Sequence, residues 1–199
     1  MLYLYYLHYI YIFTLLYYII YLHHIYIYIL FTGKRLQSTW KADGADVLPG
    51  TQYAVSESGW MTTTVFEEFF EKFVERVKGT GPILVIVDGH LSHTSLKTVD
   101  LAIKNDITIL KLPPHCTDLL QPLDVACFSP LKRYYDSELF KYTQSTGGRQ
   151  NLRKDLFVKL LCSVWNKGLS KENVIAGFKA TGIHPVDSTK YKVTRLDKL

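Results

Sequence analysis

Ile83-Leu84-Val85-Ile86-Val87-Asp88-Gly89-His90-Leu91-Ser92-His93 is the stretch whose reading decides the fold. Five consecutive aliphatic residues with no polar interruption suit a strand covered on both faces. The run ends abruptly in an acid, a glycine and a histidine. Downstream, a helix is predicted with Leu96, Val99 and Ile103 facing inward and Asn105 near its C-cap, and Ile107 to Leu112 form a second buried strand. A helix between two apolar strands is a βαβ unit, which implies parallel pairing. Chemistry in such sheets collects at the carboxyl ends of the strands. Asp88 stands at one of those ends, and Pro113-Pro114-His115-Cys116-Thr117 forms the loop at the other.

Working outward, an extended segment is predicted through Lys34-Arg35-Leu36, then a polar loop with Pro49-Gly50. A helix follows Ser58-Gly59-Trp60-Met61. Thr64 and Glu67 have capping-box spacing, and Phe66, Phe69, Phe70, Phe73 and Val77 form one apolar stripe that Gly79 and Gly81-Pro82 terminate. On the far side, Leu119 to Asp124 open a helical stretch that Pro130 should kink or interrupt. The remainder reads as helix: Leu152, Leu156, Leu160 and Val164 recur on one face with Trp165, and Ser170 caps a last helix ending near Gly182. The fold class is α/β.

A chain of 199 residues holds one sizeable core, and 48% hydrophobic with 21% charged residues excludes wholesale disorder. Three cysteines without a CxxC pair exclude a disulfide scaffold and a zinc knuckle. Residues 1–31 are unlike the rest: they carry ten tyrosines among Ile, Leu and His, and no charge. The length suits a membrane span, yet tyrosine is spread throughout rather than gathered at two interfaces. With no basic residue before it and no small-residue cleavage site after it, a signal peptide fits poorly. Residues 1–31 therefore read as a low-complexity apolar segment. The core domain follows over 32–145, and 146–199 form a basic helical tail of the same domain. Charge divides along the chain: residues 32–130 carry net −3, and those from 131 onward +8. An acidic middle beside a basic C-terminal third fits a carboxylate site next to a polyanion-binding face.

Asp88, Asp118 and Asp124 are the acidic candidates. Converging carboxylates hold Mg²⁺ or Mn²⁺, which prefer oxygen ligands, and paired ions activate water and stabilise a leaving oxygen in phosphodiester cleavage. Asp88-Gly89-His90-Leu91-Ser92-His93 also admits a mixed His and carboxylate zinc site, with His115 and Cys116 approaching from the next loop. The competing reading has His93 bonding Asp88 and orienting it. Cys127 and Cys162 fall on apolar helix faces as core residues, and Trp40, Trp60 and Trp165 read as packing.

Three ordered motifs carry a specific resemblance: Ile86 to His93, Leu112-Pro113-Pro114-His115-Cys116-Thr117, and Leu120-Gln121-Pro122-Leu123-Asp124-Val125. They closely resemble the DDE superfamily endonuclease domain of the pogo, Tigger and jerky-like transposases. Gly59-Trp60-Met61 and Thr181-Gly182-Ile183-His184-Pro185 match the same family on either side. The resemblance implies an RNase H-like mixed sheet flanked by helices, with catalytic, metal-binding Asp88 and Asp124 as second and third acids. His90, His93, His115 and Gln121 would orient them, and Mg²⁺ or Mn²⁺ would be bound weakly. It also implies a nuclear, DNA-binding protein, with Lys132, Arg133, Arg149, Arg153 and Lys154 on phosphates. A homodimer is admitted; no small-molecule substrate and no membrane partner are expected. The family's first acid belongs before Lys34, but residues 1–42 contain no Asp or Glu. The chain is therefore expected to be N-terminally truncated and catalytically impaired. The alternatives are a non-catalytic DNA- or protein-interaction module and a mononuclear zinc hydrolase on Asp88, His90, His93 and His115.

Overall fold

The computed structural model describes residues 14–15, 27–42, 44–114, 116–148 and 152–190. Most of the apolar tract, His115 and Arg149 lie outside the described residues, so the expectations placed on them are not addressed by it. In chain order the elements are β1 (Thr14–Leu15), β2 (Tyr28–Thr32), β3 (Gln52–Ser56), α1 (Thr63–Val77), β4 (Ile83–Val87), α2 (Leu96–Lys104) and β5 (Ile107–Lys111). The helices α3 (Thr117–Leu120), α4 (Pro122–Ala126), α5 (Phe128–Ser145), α6 (Lys154–Gly168) and α7 (Lys171–Ala180) complete the chain.

The strands form two small mixed and parallel groups. β4 and β5 pair in parallel from Ile83↔Ile107 to Val87↔Lys111, as the βαβ reading requires, and β1 joins β4 antiparallel. β2 and β3 pair in parallel from Tyr28↔Gln52 to Thr32↔Ser56. The strand expected at Lys34–Leu36 therefore lies earlier, and residues 33–35 bend instead. Gly33 permits that bend against the Trp40 ring, where an added Cβ would stand 2.7 Å away.

Side-chain alternation along the strands sends consecutive residues into different cores. Tyr28 and Leu30 join Phe66, Phe69, Phe70 and Phe73 of α1, with Ile83, Val85 and Val87 of β4. Ile29 and Phe31 join Ile86 and the helices α4 to α7, around Leu123, Leu161, Trp165 and Phe178. Cys127 and Cys162 are buried there, and burial pushes the Cys127 thiol up to about 11. Trp165 is fully buried, but Trp60 is 52% exposed and does not pack as expected.

Local signals differ from expectation in four places. The α1 N-cap is Thr62, whose hydroxyl accepts from Val65 N at 3.3 Å, rather than Thr64. Pro130 interrupts the helical stretch as expected, but the break falls ahead of it at Cys127, between α4 and α5, so the proline sits in the first turn of α5 where its missing N–H costs nothing. In α6 the buried face is Phe157, Val158, Leu161, Cys162, Val164 and Trp165, so Val164 and Trp165 lie as expected, whereas Leu152, Leu156 and Leu160 are only partly covered. In α2 the expected inward stripe faces out, with Leu96 85% and Ile103 72% exposed. Small Thr98 and Ala102 are buried instead. Lys97, paired with Glu71 of α1 at 2.7 Å, ties that side of the helix to its neighbour. Ser170 caps α7 as expected, accepting from Asn173 N at 3.2 Å.

Two glycines allow close helix contacts in the second core. A Cβ on Gly168 of α6 would lie 2.6 Å from Leu131 Cα of α5, and one on Gly177 of α7 would collide with the Pro122 carbonyl of α4. Gly168→Ala is expected to destabilise the protein by about 2 kcal/mol through overpacking. A lowered urea midpoint at unchanged slope would report it.

Candidate active site

Asp88 follows β4 directly, so its carboxylate leaves the sheet edge as the backbone turns away. Gly89 makes that turn possible, because a Cβ there would sit 3.3 Å from Pro114 Cα and N, in the loop after β5. The two strand-end loops thus touch. His90 then starts a single 3₁₀ turn, Leu91–His93, whose first N–H groups its ring caps: Ser92 N donates to His90 Nδ1 at 3.3 Å. That Nδ1 also lies 2.7 Å from Ser92 Oγ.

The turn folds His93 back beneath Asp88. His93 Nδ1 stands 2.9 Å from Asp88 Oδ1, and His90 N donates to the same oxygen at 2.9 Å. The imidazole is buried, and its ring centroid is 4.6 Å from that of Phe66. A hydrophobic helix therefore holds the histidine that holds the acid, with both bonds converging on Oδ1. Burial opposes ionisation of Asp88, but the His93 hydrogen bond, the His90 N–H and the two imidazoles outweigh it. Its carboxyl lies below the usual range.

Asp124 reaches the same end of the fold from another direction. The Gln121-Pro122 step separates α3 from α4, with Pro122 in the first turn and Gln121 in an extended conformation as N-cap. Asp124 lies in that first turn. Its carboxyl is pushed up to about 6: burial is the largest cause, a Thr117 hydrogen bond opposes it, and the charges of Asp88 and Asp118 raise it further. Asp124 thus lies within electrostatic reach of both other acids. Asp118, the acidic candidate outside the matching motifs, contributes as a neighbouring charge. Thr117 was missed by sequence reasoning; its signal was a hydroxyl seven residues before the acid, with one helix break between.

Among the described residues, no group of three or more His, Cys, Asp or Glu side chains is disposed to hold a metal ion. The donor chemistry present is two carboxylates. The Asp88 carboxylate has both described hydrogen bonds on Oδ1, which leaves Oδ2 for a cation, and a cation would offset the burial, and the lesser repulsion, that raise Asp124. The arrangement fits a hard divalent ion held by few protein oxygens. Lys132 and Arg133 are exposed on α5, five and six residues beyond Cys127, whereas Arg153 and Lys154 lie at the start of α6. The sequence-predicted cations are therefore divided between two ends of the α5–α6 pair.

A family model described as DDE superfamily endonuclease matches residues 22–178. The "MFS-type transporter clz9" of Cochliobolus lunatus is 33% identical over 161 residues, 79% of this chain but 17% of that protein. A human "Pogo transposable element with KRAB domain" is 27% identical over 142 residues, covering 65% of this chain and 23% of its own. The chain thus spans about a fifth of the length of these curated relatives. No solved structure matches it. Among the described residues, no helix is long and apolar enough to cross a membrane.

The raised Asp124 carboxyl has a pH consequence. Between about 4 and 6 the folded state binds more protons than the unfolded one, so this group's contribution to stability is present at low pH and lost as pH rises through about 6. Asp124→Asn should therefore raise the thermal midpoint in chelator at pH 8, and raise it less at pH 4.5. Equal gains at both pH values would show that charge is not the cause.

Proposed function

Because the chain belongs to the DDE superfamily endonuclease family, we propose that it is a transposase-derived, RNase H-like domain that binds DNA in the nucleus. Asp88 and Asp124 are its carboxylates for metal-dependent phosphodiester chemistry. The observation that carries this reading is the electrostatic contrast at the strand ends: Asp88 is held ionised by His93, while Asp124 is raised to about 6, chiefly by burial and further by the charge of Asp88. Two acids within electrostatic reach where a parallel pair of strands ends support a cation site.

Mg²⁺ or Mn²⁺ bound there would polarise water or a 3′-hydroxyl and stabilise the leaving oxygen. The chain's own residues do the rest. His93 and the His90 N–H direct Asp88 through one oxygen and present the other. Thr117 donates to Asp124 and favours its ionised form. Gln121, at the break between α3 and α4, sets the angle at which Asp124 enters. Lys132 and Arg133, exposed on α5, take phosphates of the bound strand, so affinity falls steeply with salt.

With only Asp88 and Asp124 to hold them, two ions would have too few protein oxygens to keep nucleophile and leaving group aligned. Impaired cleavage follows. The second reading, a non-catalytic DNA- or protein-interaction module, is favoured by the composition of residues 1–42, which contain no Asp or Glu where the family's first acid belongs. The zinc alternative is less well supported, because His93 spends Nδ1 on Asp88 and packs its ring on Phe66.

Mn²⁺ should raise the thermal midpoint of the protein at pH 8 by a few degrees, and should not do so for Asp88→Ala. In a plasmid assay with Mg²⁺ or Mn²⁺ the chain is expected to bind without robust nicking. Nicking that Asp88→Ala abolishes would reveal a third ligand and overturn the impairment; tight stoichiometric zinc would overturn the DDE assignment of the site.

A further inference from the structure

Outside the carboxylate site, an open cleft of about 820 Å³ lies between the single 3₁₀ turn Ser38–Trp40 and the start of α6. It is lined by Ser38, Thr39, Trp40 and Lys41 on one side and by Leu152 to Asp155 on the other. Its cations are organised. Lys154 Nζ lies 3.2 Å above the centroid of the Trp40 ring and 5.2 Å from that of Phe31, and donates to the Thr32 carbonyl at 3.1 Å. A lysine so held has surrendered much of the side-chain freedom that an ordinary surface lysine keeps. Arg153 forks onto Asp155 through Nε at 3.1 Å and Nη2 at 2.9 Å, which fixes its guanidinium plane. Lys41 is exposed at the rim.

Trp40 is not a stacking platform for a base: Lys154 covers one face, and Phe31 and Gly33 meet its edges. The helix terminus adds no anion site either, because Asp155 already takes the N–H groups of its own residue and of Leu156. What remains is three cations against one carboxylate, with the hydroxyls of Ser38 and Thr39 as neutral donors. Such a set suits a phosphate group rather than a base or an apolar ligand.

We propose that this cleft is a phosphate-binding subsite, taking a backbone phosphodiester of bound DNA through Lys41, Arg153 and Lys154. The inference rests on the DNA-binding reading and deepens it by giving the bound strand a second anchor. Arg153 lies near Tyr142, and Lys132 lies ten residues before Tyr142 on α5. The two basic groups are therefore about 15 Å apart along the helix, or about four to five nucleotide steps. Desolvation lowers the Lys154 ammonium pKa, as for a cation held ready for an anion.

Fluorescence anisotropy of a labelled duplex, titrated with the full chain at several salt concentrations, tests this. The Lys41→Gln/Arg153→Gln double variant should flatten the slope of log K against log salt by about two, since each lost phosphate contact removes about 0.9. It should also bind about tenfold more weakly at low salt. Lys41→Gln alone, at an exposed rim residue, should give half of that change in slope without affecting folding. If the double variant keeps the parent's slope while Lys132→Gln/Arg133→Gln flattens it, the cleft is overturned and DNA binding stands. If the parent binds no DNA at low salt, both readings fall. A parallel titration with inorganic phosphate, read by tryptophan emission and referenced to Trp40→Phe, separates the sources. Tight phosphate binding lost in Lys41→Gln, together with indifference to DNA, would make this a free-phosphate site and overturn the backbone assignment.

Discussion

Two-sided burial of β2 and β4 is the constraint on which the remaining structure depends. Each strand is five residues long and sends alternate side chains into separate cores: Tyr28 and Leu30 against Ile29 and Phe31, and Val85 and Val87 against Ile86. Burying such side chains contributes about 1.5–3 kcal/mol each, so a one-residue slip in register would move every one to the wrong core. That penalty fixes which way Val87 points and therefore where the chain stands when it reaches Asp88. The acid inherits its position from packing on both sides of the strand before it, and His93 and Phe66 refine the aim of its carboxylate afterwards.

The two acids are treated in opposite ways by their surroundings. Asp88 keeps its charge because donors reach one of its oxygens; Asp124 resists charge because it is more deeply covered and faces other acids. Such a contrast is characteristic of sites built for charged ligands, although ion-pair networks without function produce it too. Here the pressure is repulsive and the donors present relieve only part of it. The protein holds a local excess of negative charge at the mouth of its sheet, some distance along α5 from the cations of the α6 terminus.

The parts legible in the sequence were those where one physical effect dominates. Ile83–Val87 is an aliphatic run with few other homes, and Asp88-Gly89-His90 marks a strand end whatever the fold. Ile107–Lys111 pairs beside it as expected, but it is not the buried strand the sequence suggested: Ile107 alone of its five residues is buried, and Leu110 is 45% exposed. Ser170 has no competitor as a cap. Legibility failed where two arrangements cost nearly the same. Leu96, Val99 and Ile103 make a good inward stripe on paper, but α2 lies close to α1 and β5, and only Thr98 and Ala102 are small enough for that gap. Thr62 and Thr64 are both plausible caps, and the choice falls to the extended conformation of Thr62. The strand Tyr28–Thr32 was hidden because its residues continue the composition of the tract before it. For the site, both acids and His93 could be named from the motifs, whereas Thr117 needed the fold, since nothing in its own surroundings connects it to Asp124.

The contact between Gly177 and the Pro122 carbonyl makes α7 part of the machinery that sets α4. Val174 and Phe178 of the same helix share a core with Leu123, the residue before Asp124. A reading frame that kept every motif through Asp124 but was cut by a frameshift before residue 171 would encode both acids and lose the surface that aims one of them. Among decaying copies of a mobile element, an intact run of motif residues is therefore a poor index of an intact site. The state of the last helix, some fifty residues beyond the acid, is the better guide.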